Sequence, residues 1–360
     1  MSEMDRRTFL LSTGRWLLVA GLAPAVSGCG RALRWSESQG RTAPVDETAS
    51  TLTTGPTTTT GPLTTAGPAT TAGLSTTTST AAPEATTTTI GAAPPDLAVI
   101  RGESPELNVE AAVAKLGGME RFVKQGARVV VKPNVLTGRP PEYATTTNPL
   151  VMSAIIRMCL GAGAAEVTVF DYSMASACGA FKEAGLTQAV EEAGGTLKYL
   201  SSRDFERVEI PEGKAITSWP LVTAALEADV LINVPIAKTH GTAGLTMAMK
   251  NLMGIMGDPR GQIHHDYARK ITDINTVVKP HLVILDCYRV LMRNGPTGGD
   301  LADIAMPKTV VAGTSQVAVD AYGTTVMGWR PTDLPSLVEA NVRGLGEIDL
   351  SKYEIFEGTA

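Results

Sequence analysis

Apolar and polar positions along residues 97–328 fall into two alternating patterns. Short apolar runs suit strands buried on both faces, and stretches with apolar residues every three or four positions suit helices. The first run, Leu97–Arg101, predicts a strand, and Asn108–Val123 predicts a helix with Asn108 as N-cap and Glu110 in its first turn. Ala127–Asn134 is a valine-rich strand ending in Lys132, Pro133 and Asn134. A helix over Pro149–Gly161, a strand over Glu166–Asp171, helices around Ala180–Ala193 and a strand over Leu197–Leu200 continue the alternation. A helix near Val222–Glu227 leads to a strand at Val230–Pro235, and a helix over Asp266–Val278 leads to a strand at His281–Asp286. Strand Lys308–Ala312 and helix Gln316–Met327 close the series. Such alternation predicts an α/β fold: a largely parallel sheet with helices on both faces and the site at the carboxyl ends of the strands.

The polar residues follow that expectation. Lys132 and Asn134 end one strand, Asp171 ends another, Lys238 and His240 follow a third, and Asp286 ends a fourth. Asp171 also reads as an ordinary turn or capping residue. The densest cluster is Leu231–Gly254, where an apolar run delivers Asn233, Lys238, Thr239, His240, Lys250 and Asn251. Gly241-Thr-Ala-Gly244 is expected to open a helix whose backbone N–H groups, with Lys132, Lys238 and Lys250, suit a phosphate or carboxylate. The pattern is not a Walker loop. Met247, Met249, Met253 and Met256 read as core packing.

Two loops are expected to edge the same cleft. Gly257–Asp266 carries His264, His265 and Asp266, and adjacent histidines cannot both face inward, so His264 is the candidate metal ligand or base, with solvent exposure as its alternative. Asn294-Gly-Pro-Thr-Gly-Gly299 is either a ligand-approaching loop in which Asn294 takes part or an ordinary surface turn. Asp320 is placed to cap or to hold the cleft together.

Outside this region the pattern disappears. Residues 1–29 read as an export signal: Arg6-Arg7-Thr8-Phe9-Leu10 resembles a twin-arginine motif, and Val26-Ser27-Gly28-Cys29 resembles a lipobox, which would leave a lipid anchor on Cys29. A plain exported chain with Cys29 unmodified is the alternative. Residues 30–95, dense in Thr, Pro and Gly, predict a disordered tether. Residues 96–330 form the α/β domain, with 331–360 its C-terminal helix and tail. The chain has 31 Lys+Arg against 36 Asp+Glu, a net charge of −5, which argues against nucleic acid as a partner.

Several segments together carry a family resemblance. Val130-Val-Lys-Pro-Asn134, Thr147-Asn-Pro-Leu150, Leu231–His240, Lys250-Asn-Leu-Met-Gly254, Asn294–Gly299 and Val317-Ala-Val-Asp-Ala321 resemble, in order, the DUF362 family of bacterial and archaeal proteins. The resemblance implies the α/β domain and says little about a reaction. Many relatives are fused to ferredoxin-like iron–sulfur modules. Cys159, Cys178 and Cys287 show no Cys-x-x-Cys spacing, so no iron–sulfur motif is expected in this chain, which leaves a separate redox or cofactor-loading partner as the alternative. His240 and Lys250, ten residues apart, also resemble an arrangement in lactate racemase. That resemblance implies His240 as a nickel ligand and Lys250 as the covalent anchor of a pyridinium pincer cofactor.

Three functions follow as alternatives. In the first, an enzyme acts on a small anionic substrate, with Lys238, His240 and Lys250 binding charge and His240 or Asp286 moving a proton. In the second, an anchored protein binds the anion without turnover. In the third, a structural lipoprotein uses the polar cluster to order its loops; the cost of burying unpaired charge weighs against this one.

Overall fold

The computed structural model describes residues 93–173 and 177–360. The expected signal, the tether through residue 92 and Cys29 lie outside the described residues.

The elements are β1 (Leu97–Arg101), α1 (Pro105–Lys115), β2 (Arg128–Pro133), α2 (Pro149–Gly161), β3 (Glu166–Val169), α3 (Ala177–Glu183), α4 (Leu186–Glu192) and β4 (Thr196–Leu197). Next come β5 (Phe205–Glu209), β6 (Ser218–Val222), α5 (Thr223–Leu226), β7 (Val230–Val234), β8 (Ile236–His240), β9 (Gly244–Thr246) and α6 (Ala248–Asn251). The chain ends with α7 (Tyr267–Val277), β10 (Leu282–Leu291), β11 (Ile304–Ala305), β12 (Thr309–Gly313), α8 (Gln316–Val326), α9 (Pro335–Val342) and β13 (Ile355–Thr359).

The central sheet has the order β13-β1-β12-β10-β7-β2-β3-β4. It is largely parallel, with β12 running against both β1 and β10. The period of two along each strand divides the core. In β1, Ala98 and Ile100 pack with α1 and α2 on one face, while Leu97 and Val99 pack with α8 and α9 on the other. On that second face, Val130 of β2 and Leu231 of β7 meet Ile274 of α7. Helices therefore cover both faces, and the strands can be apolar on both sides.

Four local readings need correction. The first helix begins at Pro105, because Ser104 caps it by accepting a hydrogen bond from the Leu107 amide. Asn108 is buried inside that helix and donates to the carbonyls of Gly102 and Lys308. Gly241–Gly244 does not open a helix but turns β8 into β9, which pair antiparallel. The strand beginning at Leu282 runs past Asp286 to Leu291, and the β5–β6 hairpin lies where the sequence pattern predicts no strands.

Candidate functional site

The carboxyl ends of β2, β7 and β8 are joined by a chain of amide side chains. Asn251 of α6 sits at its centre: Oδ1 accepts from Lys132 Nζ (3.1 Å) and Asn134 Nδ2 (2.9 Å), and Nδ2 donates to Asn233 Oδ1 (2.8 Å). Asn233 in turn donates to the Ala248 carbonyl and to Gln316 Oε1. The N-terminus of α6 is held by Asp320, whose carboxylate accepts from the Ala248 and Met249 amides at 2.6 and 2.9 Å. Burial still pushes the Asp320 carboxyl up to about 7.

Lys132 lies beneath this layer, fully buried. Its three donors go to Pro133 O, Asn251 Oδ1 and Asp171 Oδ1, the last at 2.8 Å. Burial draws the ammonium below the usual lysine range, and Asp171 opposes the shift. Asp171 also accepts from the Val135 amide, so the pair is fixed from both sides. Gly254 packs directly on it, and a Cβ there would collide with Asp171 Oδ1 and Lys132 Nζ.

Above the pair is a cavity of about 480 Å³. Lys238, Lys250 and Arg260 line it, and none of the three makes an ion pair among the described residues. Lys238 is fully buried and donates to Asn134 Oδ1 (2.8 Å) and the Thr145 carbonyl. Burial, with Lys250 adding to it, lowers Lys238 to about 7. Burial, reinforced by Arg260, lowers Lys250 to about 7 as well. The nearest partner of Lys250 Nζ is the Met253 sulfur at 3.0 Å, and the Tyr267 ring centroid lies 5.4 Å away. Arg260 stacks on Tyr172 at 4.4 Å and donates to the Tyr172 carbonyl.

The two histidines complete the wall. His240 Nδ1 accepts from the amides of Thr242 and Ala243, so the neutral ring carries its proton on Nε2. His264 Nδ1 faces the Gly261 carbonyl, which can only accept, so this ring carries its proton on Nδ1. His264 Nε2 is therefore a bare acceptor, buried and without a partner among the described residues. Burial, with Lys250 next in size, lowers both imidazoles, His240 to about 3. The Thr246 hydroxyl on the same wall is also buried and unpartnered.

This arrangement does not suit the metal reading. A ligating Nε2 on His240 needs its proton on Nδ1, where two amide donors already point. No group of three or more His, Cys, Asp or Glu among the described residues is arranged to hold a metal ion. The two rings expected to share a metal, His240 and His264, stack on each other, and within Gly241–Gly244 the Thr242 and Ala243 amides donate to His240.

The structure sorts the other expected residues into layers. Asn134, Lys238, His240, Lys250, Asn251 and His264 line the cavity, whereas Lys132 and Asn233 support it from below. Thr239 and Asn294 shape a loop instead of facing the cavity: the Thr239 hydroxyl accepts from the Gly295 amide, and Asn294, at φ 57°, donates to Asp303. Asp286, expected to move a proton, is buried away from the cavity wall and accepts from the amides of Asn148 (2.8 Å) and Tyr288 (3.0 Å). Burial pushes it up to about 6. Arg260 and Tyr172 were not among the expected residues, nor was Thr246; a turn-rich loop gives no periodicity to show where an arginine points. Met253 differs from the buried Met247, Met249 and Met256 in reaching the cavity.

The signature described as "domain of unknown function (DUF362)" matches residues 129–325, a range that holds every residue of this site. A thylakoid-associated protein of Synechocystis sp. is 30% identical over 244 residues, covering 64% of this chain and 72% of its own. The chain belongs to the DUF362 family. Among solved structures, the lactate racemase apoprotein from Thermoanaerobacterium thermosaccharolyticum is similar at 15% identity and a TM-score of 0.38. The similarity covers 60% of this chain and 53% of that one, so the DUF362 chain spans about half the racemase length. A Thermotoga maritima protein is similar at 15% identity and a TM-score of 0.33, over 51% of each chain.

Proposed function

We propose that the cavity is the active site of an enzyme acting on a small carboxylate- or phosphate-bearing substrate. The observation that carries this reading is the convergence of Lys238, Lys250 and Arg260 on one cavity without a carboxylate partner. The two carboxylates on the wall are engaged elsewhere, Asp171 by Lys132 and the Val135 amide and Asp258 by the Tyr172 hydroxyl, so three cations without an ion pair favour an anionic occupant. Lys238 and Arg260 bind the charge, Asn134 and Asn251 fix Lys238 in place, and His240 Nε2–H donates to the ligand. His264 Nε2 accepts a proton. Depressed lysine and histidine values in a half-enclosed cavity favour turnover over simple storage of the anion.

The same reading includes export by the twin-arginine route and attachment to a membrane through a lipid on Cys29. The thylakoid-associated relative supports a membrane setting, and the Arg6-Arg7 and Val26–Cys29 segments support the route and the anchor. Among the described residues no helix is long and apolar enough to cross a membrane.

The test is a thermal-shift screen of the full chain against small carboxylates, inorganic phosphate and uncharged isosteres. Anions of one class are expected to raise the midpoint in the wild type and not in Lys238→Met. Equal responses to charged and uncharged compounds would overturn the proposal. The mass of the mature N-terminal peptide tests the lipid on Cys29.

A further inference from the structure

Lys132, Lys238 and Lys250 are all buried in or beneath one site, yet they differ in what their amines meet. Lys132 has three oxygen acceptors and Lys238 has two. Among the described residues Lys250 has none: it meets the sulfur of Met253 and the ring of Tyr267. A buried ammonium without an oxygen acceptor is poorly solvated, and this amine lines the cavity beside Arg260 and His264. We propose that Lys250 is a covalent nucleophile that forms an imine with the carbonyl of a small 2-oxo acid, whose carboxylate is held by Arg260 and Lys238. The proposal rests on the anionic-substrate reading above and names its class.

The chemistry follows from the groups present. Burial and Arg260 bring Lys250 to about 7, so a large share of it is free amine near neutrality. Nζ attacks the C2 carbonyl carbon, one C–N bond forms, and the carbonyl oxygen becomes the hydroxyl of a carbinolamine. That hydroxyl then leaves as water. Both protons of the amine depart with the oxygen, giving a neutral imine, and no atom is oxidised or reduced. His264 Nε2, the bare acceptor on the same wall, takes the first proton from nitrogen and delivers it to the oxygen to form the hydroxyl, then relays the second proton from nitrogen to that hydroxyl as it leaves. The carboxylate sits against Lys238 and Arg260, neither of which makes an ion pair among the described residues.

The test treats the full chain with pyruvate and sodium cyanoborohydride near neutral pH, followed by peptide mapping. The expected result is a single dominant adduct on Lys250, with the mass of pyruvate plus two hydrogens less one water. Excess lactate, which has the carboxylate but no carbonyl, should suppress it. Lys250→Arg should lose the adduct while still binding lactate by calorimetry. Lactate binding without any Lys250 adduct, or an adduct favouring Lys238, would overturn the imine and leave the anion site standing. Failure of both lactate and pyruvate to bind would overturn the 2-oxo acid assignment, and the thermal-shift screen would then decide the broader reading separately.

Discussion

His240 and His264 stack with ring centroids 5.4 Å apart and 14° between their planes, and their protons lie on different nitrogens. One ring presents a donor to the cavity wall while the other keeps a bare acceptor. Two neutral rings avoid the repulsion that two imidazolium ions would add next to Lys238, Lys250 and Arg260. ¹⁵N NMR of the ring nitrogens should find His240 as the Nε2–H tautomer and His264 as the Nδ1–H tautomer at about pH 6, with His240 unprotonated down to about pH 4. An imidazolium signal from His240 at pH 6 would contradict this.

The cavity lysines set a pH dependence. Lys238 and Lys250 stand at about 7 in the folded chain, far below the value of about 10.4 for an exposed lysine. Between these limits the unfolded chain binds more protons than the folded one, so stability rises with pH through that window. Each lysine contributes up to about 1.4 kcal/mol per pH unit. Urea titrations between about pH 7 and 9 should show this rise in the wild type and a flatter profile in Lys238→Met/Lys250→Met. Anion binding should run the other way and weaken as pH rises past about 7, since the charged amines are then lost.

The Lys132–Asp171 pair makes a separate demand on stability. Lys132→Met leaves the Asp171 carboxylate buried with only the Val135 amide, a loss of about 3 to 5 kcal/mol. Combining it with Asp171→Leu removes the stranded charge and should recover much of that loss. Denaturant midpoints of the two single variants and the double variant measure the coupling. Additive losses would show that the two groups act independently.

Asp286 accepts from two backbone amides, and we propose that it holds backbone there. Asp286→Ala strands the amides of Asn148 and Tyr288 and should destabilise the chain by about 1 to 3 kcal/mol. Anion affinity per folded molecule should stay unchanged. A calorimetric titration at a temperature where the variant remains folded checks this, and lost affinity there would return Asp286 to the binding machinery.

Much of the scaffold was legible because its elements are long or uniformly apolar. Pro149–Gly161 and Gln316–Val326 follow from helical spacing, and β7 from a run that only a sheet covered on both faces can bury. The strand-end rule also brought Asn134, Lys238 and His240 together, and the polar cluster over Leu231–Gly254 added Lys250 and Asn251. What it could not give was direction. Asp286 and Lys238 both follow apolar runs, yet backbone amides engage one and the cavity takes the other. The Gly241–Gly244 turn fits a helix start or a hairpin equally by composition, and only β8–β9 pairing decides it. In the β5–β6 hairpin, β5 is mostly charged and exposed and β6 carries Pro220, so neither strand gives a clear apolar period in the sequence.

The most direct test of the anion site is calorimetric titration of the full chain with pyruvate at about pH 6.5, where both cavity lysines are largely protonated. Wild type should bind at one site per chain, with affinity falling as salt rises. Arg260→Met and Lys238→Met should each lose about tenfold or more, in line with removing a charged hydrogen-bond partner. Binding that survives both substitutions unchanged would contradict the account, because it would place the anion outside the cavity these two residues line.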